Sequence, residues 1–204
     1  MSMSISYEDI GRRNQKARTH AALVAAAREL LSRGVTPTVE KTAAAASISR
    51  ATAYRYFPNR HALMVAAHPE VEATSLLGSD PPLDPEVRLD RVVVGLADMF
   101  LAAEQSYRTM LRLSLEPESS GRGELVLRKG RRLLWIEDAL EPLRDRLTST
   151  ELDRLIQAVS AVVGIEALVV LTDLAGLSRS RAIEVMRWSA ASLLRSALAE
   201  AGAE

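Results

Sequence analysis

The chain has 204 residues, 48% of them apolar, with basic and acidic residues equal at 26 each, which is enough for a sizeable core in one large domain or two smaller ones. It contains no cysteine, which excludes disulfides and thiolate metal sites and makes a reducing cytoplasm the natural compartment. The longest charge-free run, Leu155 to Ile165, falls well short of the roughly 20 residues of a membrane span, so no membrane partner is expected.

The zero net charge hides an asymmetry. Up to His68 there are 10 Lys and Arg against 4 Asp and Glu; the remainder carries 16 against 22. A basic head on an acidic body would orient itself toward a polyanion such as DNA, although chance composition gives the same totals.

Residues 1–14 carry Glu8 and Asp9 in place of an apolar signal core and read as a disordered arm. Gln15 to Arg33 reads as the first long helix, with Ala17, Ala21, Val24, Ala27 and Leu31 recurring at three- and four-residue spacing and Gly34 as its stop. Arg12, Arg13, Lys16 and Arg18 cluster at its start, either as phosphate contacts or as a solvated tail.

Thr38 is placed to cap a second, alanine-rich helix from Val39 to Ala46. Ser47 and Ile48 make a turn, Ser49 caps again, and Arg50 to Phe57 form a third helix stopped by Pro58. That is helix-turn-helix spacing, which an ordinary helical hairpin also satisfies. Ala43, Ile48, Ala53 and Tyr56 fall at packing offsets, leaving Arg50, Ala51, Thr52, Tyr54 and Arg55 on outer faces. Arginine can fork onto guanine O6 and N7, threonine can meet a thymine methyl or a phosphate, and tyrosine hydroxyls reach phosphate oxygens. Asn59 can cap a fourth helix beginning at Arg60, whose N-terminus would suit a phosphate and whose Leu63, Met64 and Ala67 are apolar. A head of residues 15–68 and a body of residues 69–204 follow.

In the body, Pro85 opens a fifth helix to about Glu104 and Tyr107 to Leu115 continue as a sixth, followed by a loop at residues 117–123. The seventh, Glu124 to Leu147, carries Leu127, Leu133, Leu134, Ile136 and Leu140 and should kink or break at Pro142. Thr148 and Glu151 form a capping box for the eighth, which runs to about Leu174 and is apolar nearly all round between Ala158 and Leu171. Ser178 caps the last helix, to about Ala201. No strand-like alternation of comparable length occurs, so the expected fold is all-α with about nine helices. The outer faces of the last two helices suit a four-helix interface with a second copy of the chain.

His20, His61 and His68 lack metal-pair spacing, and neither a Gly-x-Ser-x-Gly elbow nor a Gly-rich phosphate loop is present, so no catalytic residue, cofactor or metal is expected. Glu166 and Asp173 are carboxylates on an otherwise apolar helix and require an arginine, an edge position, a polar pocket or an interface. Met99, Phe100, Tyr107, Met110, Trp135 and Trp188 can be read either as core or as the lining of a cavity. The basic run at residues 128–132 reads as a solvated face.

Thr38-Val39, Ala43-Ala44, Ser47-Ile48-Ser49, Thr52 and, above all, Tyr54-Arg55-Tyr56-Phe57-Pro58-Asn59-Arg60 resemble the N-terminal domain of the TetR-type (tetracycline-repressor-like) family, from about Lys16 to Ala67. Two positions depart from it: Thr42 stands where the family usually has an aliphatic residue and Ser47 where it has glycine, so Ser47 should hold a left-handed turn at a cost of about 1 kcal/mol. The resemblance implies a three-helix DNA-binding head and a helical regulatory and dimerisation body. It implies a homodimeric repressor on a palindromic double-stranded operator, relieved by an unidentified small-molecule effector. Arg50 would read bases, and Thr38, Ser49, Thr52, Tyr54, Tyr56 and Arg60 would position the head on phosphates. Met99, Phe100, Tyr107, Met110, Trp135, Glu166 and Asp173 are the pocket candidates. A helical protein adaptor, or an enzyme with an unrecognised site, are the alternatives; steep loss of affinity with salt would mark DNA.

Overall fold

A computed structural model describes residues 7–67, 74–115 and 131–202; among them there are ten α-helices and no strand. They form two compact units, residues 7–67 in the first and the remainder in the second.

The first unit holds α1 (Tyr7–Ser32), α2 (Val39–Ala45), α3 (Arg50–Tyr56) and α4 (Arg60–Ala67). α1 begins eight residues before Gln15, so residues 7–14 are helix and not a disordered arm; residues 1–6 lie outside the described residues. A lone glycine, Gly11, costs a helix only about 1 kcal/mol and does not end it. The inward face of α1 also differs from the expected one. Ala17 and Ala21 are exposed and Val24 half-buried, whereas Leu23, Ala27 and Leu31 are buried, because the larger Leu23 takes the core position in place of the small alanines. α1 packs on α2 and α4, and α2 on α3, around Val39, Ala43, Ala53, Phe57, Leu63 and Met64.

α1 and α2 end in the same way. Gly34 has φ 71°, its N–H donates to the Leu31 carbonyl at 2.9 Å, and Val35 N–H donates to Leu30 at 2.9 Å. In the second case Ser47 has φ 55°, its N–H donates to Ala44 at 3.1 Å, and Ile48 N–H donates to Ala43 at 2.9 Å. Both are Schellman ends, which satisfy the last carbonyls of a helix by means of one left-handed residue. The turn therefore forms with serine as it would with glycine.

The second unit holds α5 (Pro85–Ala102), α6 (Glu104–Leu115), α7 (Arg131–Leu140), α8 (Ser149–Val162), α9 (Ile165–Val169) and α10 (Arg179–Ala201). Asp84, Thr148 and Ser178 cap α5, α8 and α10 through their side chains, Thr148 in a full capping box with Glu151. α5, α7, α8 and α10 enclose the core, in which Leu89, Val93, Leu96, Trp135, Ile136, Leu140, Val159, Met186 and Leu194 are buried. Pro142 ends α7 as expected, in a 3-10 turn at Glu141–Leu143. Of the apolar residues assigned to α7, Ile136 and Leu140 are buried but Leu133 and Leu134 are exposed; Trp135 and Ala139 complete the buried face. The expected start of that helix, residues 124–130, lies outside the described residues.

The orphan carbonyls at the end of α7 are taken by a buried arginine. Arg88 on α5 donates from Nε to Ala139 O at 3.0 Å and from Nη2 to Asp138 O at 2.6 Å, with Nη1 on Pro82 O at 3.2 Å. A buried guanidinium is tolerable because its donors are matched by acceptors.

The expected continuous eighth helix is broken. α8 stops at Val162, Gly164 (φ −88°, ψ 172°) caps α9, and Val170–Leu174 form a π turn. Arg132 on α7 bridges the break, donating from Nε to Ser160 Oγ at 3.0 Å and from Nη1 to Glu166 Oε2 at 2.9 Å. The basic run is therefore not simply solvated: Arg132 is half-buried and paired. Ser149–Leu174 as a whole is long and apolar enough to cross a membrane, with a mean hydropathy of 2.1 in its most apolar window, contrary to the reading from charge-free runs. Here the inner side of that stretch packs on α6, α7 and α10.

Candidate nucleic-acid interface

Of the residues proposed from sequence to meet DNA, Thr38 and Ser49 are the N-caps of α2 and α3, Arg50, Thr52, Tyr54 and Tyr56 lie on α3 and Arg60 starts α4, while Lys16 and Arg18 are exposed on α1. Arg50, Ala51, Tyr54 and Arg55 are exposed on α3, and Thr52, Tyr56 and Arg60 are half-exposed, while Ala53 faces inward. Ala53 and the exposed Arg50, Ala51, Tyr54 and Arg55 match the amphipathic reading of the recognition helix, whereas Tyr56, expected to pack, and Thr52, expected outward, are equally half-exposed.

The hydroxyls are less free than the sequence suggested. Thr38 Oγ1 accepts from Lys41 N–H at 3.2 Å and Ser49 Oγ from Thr52 N–H at 3.2 Å, so both act as the caps expected of them. Ser49 also donates to Thr52 Oγ1 at 2.8 Å, which leaves the Thr52 hydroxyl proton as the one that can turn outward. Asn59 caps α4 through Oδ1, which accepts from Ala62 N–H at 2.8 Å.

Tyr54 donates its hydroxyl to Glu40 Oε1 on α2. This corrects the expectation that the Tyr54 hydroxyl points at a phosphate: its proton is held by a neighbouring carboxylate. The bond lowers the pKa of Glu40, assisted by the Glu40 backbone N–H, the Thr38 hydroxyl and the charge of Arg50, and it raises that of Tyr54. Glu40 was not singled out in the sequence, because its partner lies 14 residues away on another helix. His20 was likewise missed as a support. Its ring lies 5.1 Å from that of Phe57 and 6.3 Å from that of Tyr56, tying α1 to the end of the recognition helix.

The residues proposed for an effector pocket are mostly part of the core of the second unit. Phe100 and Tyr107 pack edge to face with centroids 5.0 Å apart, and they, Met110 and Trp135 are buried; Met99 is half-buried against the core. Glu166 is paired with Arg132, the arginine partner anticipated as one of its options. Asp173 receives two bonds from Arg108, at 2.6 and 2.8 Å, and Arg108 and Arg179 both reach Glu104. These bonds hold the Asp173 carboxyl down at about 2. Glu166 borders a concavity of about 320 Å³, formed with Ala161, Val162, Val170, Leu171 and Met186.

An alanine-rich helix, a turn closed by a left-handed residue and a capped helix with arginine, threonine and tyrosine outward make the first unit a helix-turn-helix DNA-binding domain. Residues 23–67 match the family described as bacterial regulatory proteins, tetR family, and a head that matches it makes this a DNA-binding transcriptional regulator. The match covers the head; no curated protein and no solved structure matches the chain.

Proposed function

We propose that the protein is a repressor that binds a palindromic operator as a homodimer in the cytoplasm and releases it on binding a small molecule. The observation that carries the reading is the outward face of α3, where Arg50 stands exposed beside the half-exposed hydroxyl of Thr52 on a head with an excess of basic residues. Arg50 reads a base; Thr52, Tyr56 and Arg60 hold phosphates, and Thr38 and Ser49 serve DNA indirectly by fixing the two helices.

Dimerisation is supported by the outer side of α9, the π turn and α10. Val170, Leu174 and Trp188 are 51%, 81% and 68% exposed there, and Val170 also lines the 320 Å³ concavity. An apolar patch of that kind on a single chain is the mark of an interface. A two-fold interface is self-complementary, and two heads then demand two half-sites of matching spacing. An effector would enter the body near Met99 and Glu166, the pocket candidates that are half-buried.

Selection of bound duplexes from a random pool tests this reading directly. A palindromic consensus is expected, bound with an affinity that falls steeply as salt is raised, and Arg50→Ala should relax one base position by tenfold or more. Recovery of no consensus, or salt-insensitive binding, would favour a protein-binding adaptor.

A further inference from the structure

Glu40 sits on the DNA-facing surface of the head although a carboxylate there is repelled by every phosphate. It is also not a loosely solvated side chain. Tyr54 of α3 donates its hydroxyl proton to it, and the charge of Arg50 lies close enough to act on it. A hydroxyl that could have held a phosphate is thus directed at this carboxylate, so its position is fixed before DNA arrives.

An ionised carboxylate is an acceptor only. Guanine N7 and O6, thymine O4 and phosphate oxygens are acceptors too, which leaves the exocyclic amino groups, cytosine N4 and adenine N6, as the donors it can meet in the major groove. Arg50 is the converse, a donor that fits guanine.

We infer that Glu40 is a second base-reading residue, held in place by Tyr54, which selects an amino-bearing base, cytosine first, at a position next to the guanine taken by Arg50. Every other base leaves the carboxylate against an acceptor or against nothing, so the pair specifies by rejection as much as by attraction. Tyr54 is a positioning residue in this arrangement: it acts on DNA through Glu40. The inference rests on the DNA-binding reading above.

The test is selection from a random duplex pool with the full-length wild type, Glu40→Gln and Tyr54→Phe, each shown folded by its melting curve. The wild type should yield one half-site position dominated by cytosine. Glu40→Gln should move that position toward adenine, whose N6 and N7 match an amide, and cut the preference for cytosine there at least about fivefold, with other positions unchanged. Tyr54→Phe should weaken the same position by a smaller factor and leave binding to non-specific DNA as it was. A clear wild-type consensus that Glu40→Gln leaves intact, with uniformly tighter binding, would show that Glu40 merely repels phosphate and would overturn the inference alone. A wild type that selects no sequence would overturn the DNA-binding reading and this inference together.

Discussion

The guanidinium of Arg132 occupies the space in which a Cβ on Gly164 would stand: such an atom would overlap Nη1 and lie 2.9 Å from Cζ, and it would also overlap Oε2 of Glu166. Glycine at this position is thus a matter of space, since its φ of −88° is open to any residue. What must yield on substitution is the far end of two long side chains, not backbone. Gly164→Ala is therefore expected to displace the Arg132–Glu166 pair and cost about 1 kcal/mol or less, the scale of a partly exposed ion pair. In urea unfolding, Glu166→Gln should add little to Gly164→Ala. Additive losses would separate the glycine from the pair.

Ser47→Gly should stabilise the head. The left-handed conformation costs a side-chain-bearing residue about 1 to 2 kcal/mol, and the greater freedom of glycine in the unfolded chain returns roughly 0.5 to 1. A net rise of up to about 1 kcal/mol in unfolding free energy is expected, with DNA preference unaltered. A loss of stability would mean that the serine hydroxyl supports the turn.

Thr42 is fully buried in α2, and its hydroxyl is without a hydrogen-bond partner. An unmatched buried polar group costs about 1 to 3 kcal/mol, and valine has the same branched shape. Thr42→Val should raise the unfolding midpoint of the head, and Thr42→Ser, which keeps the hydroxyl and loses a methyl group, should lower it.

Asp173 should give the body an acid limit. Its carboxyl lies near 2, down from 3.8, chiefly because Arg108 bonds it and then because Thr172 does. A depressed folded value means that the contribution to stability is complete above about pH 4 and is lost as pH falls toward 2. Asp173→Asn should flatten the dependence of stability on pH within that window and leave it unchanged above.

These cases show what the sequence could and could not tell. Caps at Thr38, Ser49, Asn59, Thr148 and Ser178, the start at Pro85 and the stop at Gly34 were legible, because each depends on residues within one or two turns. The break at Gly164, the Arg88 cap on α7 and the Glu40–Tyr54 bond were not. Each is made by a side chain from a distant helix, about which periodicity carries no information. The eighth helix looked continuous because its apolar pattern does continue through the break. The pocket candidates meet a related limit, since apolar residues at helical spacing mark a buried face whether it closes on a ligand or on another helix.

Val169 is half-buried against the core, and its neighbour Val170 is the exposed residue of the pair. Val170→Arg should therefore leave the fold intact and abolish self-association, because a guanidinium in an apolar two-fold interface is buried unpaired on both sides. Sedimentation at micromolar concentration should show monomers with weakened operator binding. A wild type that is itself monomeric would refute the interface.

The chain has two tryptophans, and they sit in opposite surroundings: Trp135 is 1% exposed in the core and Trp188 is 68% exposed on α10. Indole emission moves to shorter wavelength in apolar surroundings and is quenched by solutes that reach the ring. The protein thus carries two native optical reporters. Trp135 follows unfolding of the body, and Trp188, isolated by Trp135→Phe, follows whatever covers α10, so one cuvette can distinguish loss of fold from loss of partner without any label.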